Sequence, residues 1–459
     1  MHMTDLTERV RRALQAAGAA RSAELQQVCN ASQASISRAL APLLAAGEVL
    51  KVGRARNQAY VMPRRVDGAS TTGTVPIMKV DAKGKVFEFG TLIPVVRGRC
   101  WVEEFEAPEA RLHDGLPWFL ADMRPQGFLG RAFAHARKDL RLADNPDHWT
   151  DDDVLKALCQ AGEDLPGNLI LGAKSFERLM HAGPGDRVPP ERYAELAEAA
   201  MHGALPGSSA GGEHPKFCTV RDDGQPVIVK FSPSGNSAPE RRWADLLLCE
   251  HLALALLDET GVPAAKTRIF MDGGRTLLEV ERFDRTPRGR IGMVSLLAFD
   301  NEYIGQIDNW AASAERMSTR GLMRPDDAHR LRLLEAYGQL IGNTDRHYGN
   351  ISLLIDASGN WALAPAYDTL PMVYAPVAGE LVSRDEFDPG KLAPTADTLR
   401  VWDEALQLAI SFWRSVTREK RISSAFRETA KRHARSLEAS AGAQPPAAEE
   451  PVFQRARPS

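Results

Sequence analysis

The sequence predicts an α+β protein: a small N-terminal domain ahead of a larger two-lobed body. Three observations predict it. The chain has 459 residues, more than one hydrophobic core fills. Strand-like and helix-like periodicities are interspersed along most of its length. The first 65 residues carry an apolar pattern and a charge balance of their own. The composition, 44% hydrophobic and 25% charged, is that of an ordinary soluble globular protein.

Leu6, Val10 and Leu14 recur at helical spacing, and Gly18 follows as a stop. A short helix fits Ser22–Cys29. Ser32 is placed to cap a third helix whose apolar face is Ile36, Ala39, Leu40, Leu43 and Leu44. Gly47 ends it, and two short strands fit Glu48–Val52 and Gln58–Met62, joined by the basic turn Gly53-Arg54-Ala55-Arg56-Asn57. Three helices and then a basic hairpin is the winged helix-turn-helix order.

Residues 66–76, rich in Gly, Ser and Thr, read as a linker after Pro63-Arg64-Arg65. One lobe is expected over residues 77–285. Strands are expected at Thr91–Val95 and Cys100–Glu103, and mainly helical structure over 111–200. Strands return at Phe217–Val220, Val227–Phe231, Thr267–Met271 and Thr276–Arg282, with a long helix over Glu240–Thr260. A second lobe is expected over residues 286–438. It holds a helix near Asp326–Leu340, a hairpin of Ile351–Ile355 and Trp361–Ala364, and further helices. Residues 439–459, rich in Ala, Pro and Glu, read as a disordered tail.

Net charge is −3, so nucleic-acid binding would need a local basic patch. No apolar run is long enough to span a bilayer, and the first residues lack the apolar stretch of a signal peptide. The five cysteines are scattered with no CxxC pair, which points to a reduced, cytoplasmic protein without a zinc site.

The chemistry-bearing residues lie in the second half. Lys230 sits near the end of the β-branched strand Val227-Ile228-Val229-Lys230-Phe231, where a kinase places the ammonium that holds ATP phosphates. Alone, it would read as a strand-end lysine reaching solvent. Asp345 and Asn350 are five apart, between a helix and a strand. That is the spacing of a catalytic base and a metal-ligating Asn, although turn formers could produce the same run. Asp368 leaves the following hairpin, where a second Mg²⁺ ligand belongs. Residues 203–216 offer glycines and hydroxyls that could cradle phosphates, without a Walker A pattern. Phosphoryl transfer needs these parts, and here they occur in the kinase order.

Phe217-Cys218-Thr219-Val220, Val229-Lys230-Phe231-Ser232-Pro233, Val280-Glu281-Arg282-Phe283-Asp284-Arg285, Gly342-Asn343-Thr344-Asp345-Arg346-His347 and Leu363-Ala364-Pro365-Ala366-Tyr367-Asp368 together resemble the HipA family of bacterial serine/threonine kinase toxins. The resemblance covers roughly residues 85–430. With its extra N-terminal domain the chain resembles the YjjJ-type subgroup. The resemblance implies a protein-kinase-like body using ATP and Mg²⁺, with Lys230 on the phosphates, Asp345 catalytic with His347 beside it in the loop, and Asn350 and Asp368 on the metal. It implies that Glu281 and Phe283 belong to the hinge that meets adenine. It also implies a phosphorylated serine in the Gly-rich loop, Ser209 with Ser208 as the neighbouring candidate, and Gly212 near the phosphates. Glu250 is the chosen ion-pair partner of Lys230 and Asp245 the rival. The loop residues Gly211-Gly212-Glu213-His214-Pro215 depart from better-known members.

Residues 1–65 contain ten Arg and Lys against four Asp and Glu, an excess of +6 that fits phosphate binding. Ser32, Gln33, Ser35 and Arg38 start the third helix, where base edges are read, and Arg54 and Arg56 sit in the wing. The alternative is a protein-interaction domain. The partners expected are therefore a protein substrate and duplex DNA, with no membrane. A separate antitoxin, self-regulation through the fused domain, and a homodimer stay open. Two other readings compete: a transcription regulator with a nucleotide-sensing kinase-like body, and a small-molecule kinase.

Overall fold

The computed structural model describes residues 3–53, 58–70, 73–105, 110–182, 187–203, 214–355, 359–384 and 386–443. The first unit runs α1 (Met3–Ala17), β1 (Ala19–Arg21), α2 (Ser22–Cys29), α3 (Gln33–Ala45), β2 (Leu50–Val52) and β3 (Ala59–Val61), with an antiparallel sheet ordered β1-β3-β2. Gly18 takes a left-handed φ of +76°, which reverses the chain after α1. Strand β1 has no pattern in the sequence: Ala-Ala-Arg becomes a strand because β3 offers it an edge. Val10, Leu14, Leu25, Ile36, Leu40 and Leu43 form the core between the helices.

The second unit comprises β4 (Val75–Val80), β5 (Val86–Val95), β6 (Arg99–Glu104), β7 (Arg111–Asp114), α4 (Gly127–Ala136), α5 (Asp151–Ala161), β8 (Leu169–Leu171) and α6 (Ala173–His181). Its sheet is ordered β7-β6-β5-β4-β8. Val75, Ile77, Leu92 and Val102 from the sheet pack on Val154, Leu155 and Leu158 of α5.

The expected linker is not one. Val66 and Ala69 are buried in this second core, β4 begins at Val75, and Arg64 N donates to Pro94 O at 2.9 Å. The Gly and Ser content hid three apolar residues spaced to fill a core. The first unit is consequently docked: Val52, Ala59 and Val61 share a cluster with Ile93, Val95 and Trp101, and Arg99 Nη1 donates to Ala17 O at 2.7 Å.

The third unit holds β9 (Arg187–Val188), α7 (Tyr193–Gly203), β10 (Lys216–Arg221), β11 (Pro226–Phe231), α8 (Ala238–Glu259), β12 (Thr267–Asp272) and β13 (Arg275–Glu281). Its sheet is ordered β12-β13-β11-β10-β9, antiparallel except where β9 meets β10. The single lobe expected over 77–285 therefore contains two sheets with separate cores. Residues 111–200 also hold three short strands, β7, β8 and β9, too brief to leave a period.

The last unit is β14 (Gly292–Ser295), α9 (Leu296–Tyr303), α10 (Trp310–Thr319), α11 (Pro325–Ile341), β15 (Ser352–Ile355), β16 (Trp361–Leu363), α12 (Trp402–Arg418) and α13 (Ser424–Ala443). The strands pair in the order β14-β15-β16. Tyr337, Phe412, Trp413 and Phe426 are among its fully buried side chains, each contributing roughly 1.5–3 kcal/mol by burial. Helix α13 runs into the expected tail as far as Ala443, because alanine favours helix and Ala441 packs against the core. Residues 444–459 lie outside the described residues. No described helix is long and apolar enough to cross a membrane.

Candidate active site

Side chains alternate along β11, so Val227, Val229 and Phe231 enter one apolar core while Ile228 and Lys230 face the other way. Lys230 is 6% exposed, and its Nζ donates to Glu250 Oε1 at 2.7 Å and to Asp368 Oδ1. Burial opposes the ammonium, but the two carboxylates outweigh it and hold the Lys230 pKa above the ordinary lysine value. Glu250 is fully buried, and burial pushes its pKa up against the pull of Lys230. Asp368 goes the other way: Lys230 and Lys216 outweigh its burial and depress it. Asp368 also has φ +50°, a left-handed conformation uncommon for a non-glycine residue. Asp245 is turned elsewhere, accepting from Ser423 N at 2.7 Å.

Helix α11 ends on Gly342 at φ +76°, and the chain then runs through Asp345 to Asn350 without regular structure until a 3₁₀ turn at Tyr348–Asn350. This loop is fastened from several sides. Asn343 Oδ1 accepts Asp345 N–H at 3.1 Å, and Arg346 reaches Glu335 at 3.1 Å and also Asn343 O. Tyr348 OH donates to Asp308 Oδ1 at 3.0 Å, and Trp310 Nε1 donates to His347 O at 3.3 Å. Gly338 on α11 is required by Arg346, whose Cδ would lie 2.5 Å from an added Cβ. Asn350 Nδ2 donates to Asp345 O at 2.9 Å, which leaves its Oδ1 without a hydrogen bond among the described residues. His347 Nδ1 accepts Gly349 N–H at 3.0 Å, so its Nε2 carries the proton of the neutral ring, 3.8 Å from Asp345 Oδ1. The Asp345 side chain is 52% exposed, open to an incoming group.

Asp345, His347, Asn350 and Asp368 line one cavity of about 730 Å³. Its other wall comes from the second unit: Asp122, Gln126, Gly127 and Leu129 stand across it. Asp122 Oδ2 accepts Ser295 N–H at 2.5 Å and so ties that wall to the last unit. A neighbouring cavity of about 550 Å³ shares Asp122, Gln126 and Leu129 and reaches Cys218, Ile228 and Arg282.

Several expected site residues stand apart. Glu281 and Phe283 line neither cavity: the Glu281 carboxylate accepts from Arg221 Nη1 at 2.9 Å, and Phe283 packs on Tyr367 with ring centres 5.5 Å apart. Ser208, Ser209 and Gly212 lie outside the described residues, as do Arg54 and Arg56. Ser32 accepts Ser35 N–H at 3.3 Å and caps α3, with Gln33 and Arg38 exposed and Ser35 half-buried. Part of the N-terminal charge excess is engaged: Arg11 pairs with Glu48 at 2.8 Å, Arg12 with Glu8 at 3.1 Å, and Arg64 with Asp152.

Three residues were missed by sequence reasoning. Lys216 faces Lys230 across the β10–β11 ladder and lines the larger cavity; its cross-strand register was the signal. His214, two residues before it, is buried against Trp243. Tyr367 OH donates to Gly349 O at 3.0 Å and steadies the loop from the Asp368 side.

The fold and the site together define a kinase-like protein of the HipA type. Residues 71–180 match the family described as YjjJ-like toxin, middle domain, and residues 208–440 match HipA-like C-terminal domain. The first span coincides with the second structural unit. The chain is 34% identical over 418 residues to Toxin YjjJ of Escherichia coli (strain K12), covering 89% of this chain and 92% of that protein. It is 28% identical over 239 residues to Putative kinase Y4dM of Sinorhizobium fredii (strain NBRC 101917 / NGR234), covering 47% of this chain and 55% of that one. Among solved structures, HipA of Shewanella oneidensis MR-1, in complex with HipB and operator DNA, shares the fold with a TM-score of 0.52 at 16% identity, over 79% of this chain and 96% of that one. The chain belongs to the HipA family of kinase-like toxins, in its YjjJ-type branch.

Proposed function

We propose that this chain is an ATP- and Mg²⁺-dependent serine/threonine protein kinase of the HipA toxin type, which also phosphorylates its own Gly-rich loop and binds duplex DNA through residues 1–65. One observation carries the kinase reading: a buried lysine held between Glu250 and Asp368, with Asp368 itself lining the cavity that also receives Asp345 and Asn350. An unpaired buried ammonium is costly, so the two carboxylates keep Lys230 charged and fixed in place.

Lys230 and Lys216 would hold the ATP phosphates. The base would enter the neighbouring cavity, against Ile228 and Cys218, which share the sheet face of the two lysines. Asp345 would orient the acceptor hydroxyl and take its proton, with His347 beside it. Asp368 and the Asn350 Oδ1 suit Mg²⁺, which takes one or two protein oxygens and completes its shell with phosphate and water. When bound, Mg²⁺ neutralises charge on the transferred phosphoryl group. Glu281 and Phe283 would support the base through backbone and packing, since their side chains are engaged elsewhere. Ser209, or Ser208, would receive phosphate in the loop carrying Gly212, and about −1.5 to −2 of added charge would oppose ATP there.

The DNA reading rests on the exposed start of α3 and on the helix, helix, helix, hairpin order, with Arg54 and Arg56 in the wing. The operator complex of the Shewanella relative motivates the same partner here, and its HipB motivates an antitoxin or self-regulation by the fused domain. A cytoplasmic location and a homodimer fit this reading. The test is incubation of the purified chain with γ-labelled ATP, Mg²⁺ and lysate. Mg²⁺-dependent label on serine or threonine of the chain and of a lysate protein is expected. No transfer to any protein would overturn the kinase reading.

A further inference from the structure

We propose that His214 is a phosphate-contact residue of the cleft, donating a hydrogen bond to a terminal phosphate oxygen of the bound nucleotide. This rests on the kinase reading and adds a residue to it.

His214 is 8% exposed, and neither Nδ1 nor Nε2 has a hydrogen-bond partner among the described residues. Buried imidazoles ordinarily find one, because an unmet polar group carries its full desolvation cost. The ring is held, not loose. It meets Trp243 of α8 edge to face, with centres 4.3 Å apart, and Pro215 O next to it accepts Phe231 N–H at 3.0 Å. It lines the same cavity as Lys216, Asp345, Asn350 and Asp368. The fixed ring therefore borders the space where anionic oxygens would gather, with its hydrogen-bonding capacity unspent.

The charges around it say which kind of ligand group it meets. Lys216 and Asp368 line the same cavity, and Lys230 pairs with Asp368. A neutral imidazole has one N–H to give. A donor beside Lys216 suits a phosphate oxygen better than a cation or a second N–H donor. The base would lie elsewhere: His214 does not line the cavity that reaches Ile228 and Cys218. Since its nitrogens have no partner among the described residues, His214 contributes packing there and would add a hydrogen bond when an anion enters.

The test uses the full chain with Mg²⁺ and compares wild type with His214→Phe, which keeps the ring contact with Trp243, and His214→Gln, which keeps an N–H. The probes are ATP, adenosine and inorganic tripolyphosphate, with affinity read by calorimetry and stability by thermal unfolding. His214→Phe should weaken ATP and tripolyphosphate about tenfold, equivalent to about 1.4 kcal/mol. It should leave adenosine unchanged and leave the ligand-free unfolding temperature equal or higher, and His214→Gln should recover part of the ATP affinity. A purely packing role is indicated, and the inference overturned, if His214→Phe binds ATP and tripolyphosphate like wild type, or loses adenosine equally. The two readings fail separately. Wild type that binds tripolyphosphate in a His214-dependent way but not ATP sinks the nucleotide reading and leaves the phosphate contact. Wild type that binds neither sinks both.

Discussion

Of the two five-stranded sheets, the one containing β10 and β11 has a buried lysine between two carboxylates, whereas the one containing β4 and β5 packs its interior with Val75, Ile77, Leu92 and Val102. The first accepts desolvated charge where a ligand is to be met. The second is built for packing, and it spans its neighbours. Phe128 of α4 enters the core under β10 and β11, Asp122 takes Ser295 N–H, and Trp118 packs edge to face on Phe299. The second unit therefore braces the cleft from outside while contributing a wall to it. Buried charge concentrates on one sheet, whose burial is electrostatically unfavourable, and apolar packing on the other, whose burial is not.

The sharpest way to break this comparison is at Asp345. Asp345→Asn should lower phosphate transfer by about 10²–10⁴ while leaving ATP affinity within about twofold, because general-base catalysis supplies gains of that order. Undiminished transfer in a γ-labelled ATP assay would remove Asp345 from the reaction.

The bracing depends on a charge cluster between the second and third units. Asp284 Oδ2 accepts Gly167 N–H at 3.1 Å and pairs with Arg282 at 2.9 Å and Arg285 at 2.6 Å, while Arg285 Nη1 donates to Gly167 O at 3.0 Å. Burial opposes ionisation of Asp284, but the two guanidiniums outweigh it and lower its pKa. Asp284→Ala should destabilise by up to about 3–5 kcal/mol, since it leaves the buried Arg282 and Arg285 only the more exposed Asp164 as an ion-pair partner. Denaturant unfolding that moves by less than about 1 kcal/mol would mean that the cluster does not brace the units.

The last unit has a pH dependence of its own. His433 is buried beside Tyr374, and burial followed by Arg432 lowers its pKa to about 4. The unfolded chain binds its proton near pH 6.5, and the folded one does not until about pH 4. Stability from this group is thus complete above pH 6.5 and is lost as pH falls towards 4, by up to roughly 3 kcal/mol. Unfolding temperatures measured between pH 7 and 4.5 should fall, and His433→Gln should flatten that part of the curve. An identical slope in the variant would assign the acid sensitivity elsewhere.

The smallest effect is expected at the N-terminal unit. Arg38→Ala or Gln33→Ala in the full chain should cost about 1–3 kcal/mol of discrimination between operator and random DNA. Arg54→Ala and Arg56→Ala should weaken all sequences alike and flatten the salt dependence, by about 0.9 in the log–log slope per phosphate contact. Salt-insensitive or absent binding in anisotropy titrations would make this unit a protein-docking module, a role that its packing on β5 and β6 also permits.

The local parts of the site were readable because each is a short-range pattern. Alternation along Val227–Phe231 put Lys230 on the face away from the apolar core. The five-residue step from Asp345 to Asn350 is set by one turn, and the hairpin after it delivers Asp368. Strands β1 and β8 were not readable, since they exist only through their partners.

Sequence by itself thus determined the α+β class, the order of the candidate site residues and the family resemblance, all carried by local spacing. Tertiary structure brings Glu250, the partner chosen from the sequence, to Lys230 and turns its rival Asp245 to Ser423. The two are five residues apart on α8, roughly 140° around the helix, so the docking of α8 on the sheet leaves only one of them facing Lys230. Tertiary structure also placed Val66, Ala69 and Val75 in a core, buried His214 without a partner among the described residues, and brought Asp122 and Gln126 to the cavity that Asp345 and Asp368 line. Such contacts join residues far apart in the chain. They depend on how whole faces pack, a sum over many weak terms that no short window of sequence contains.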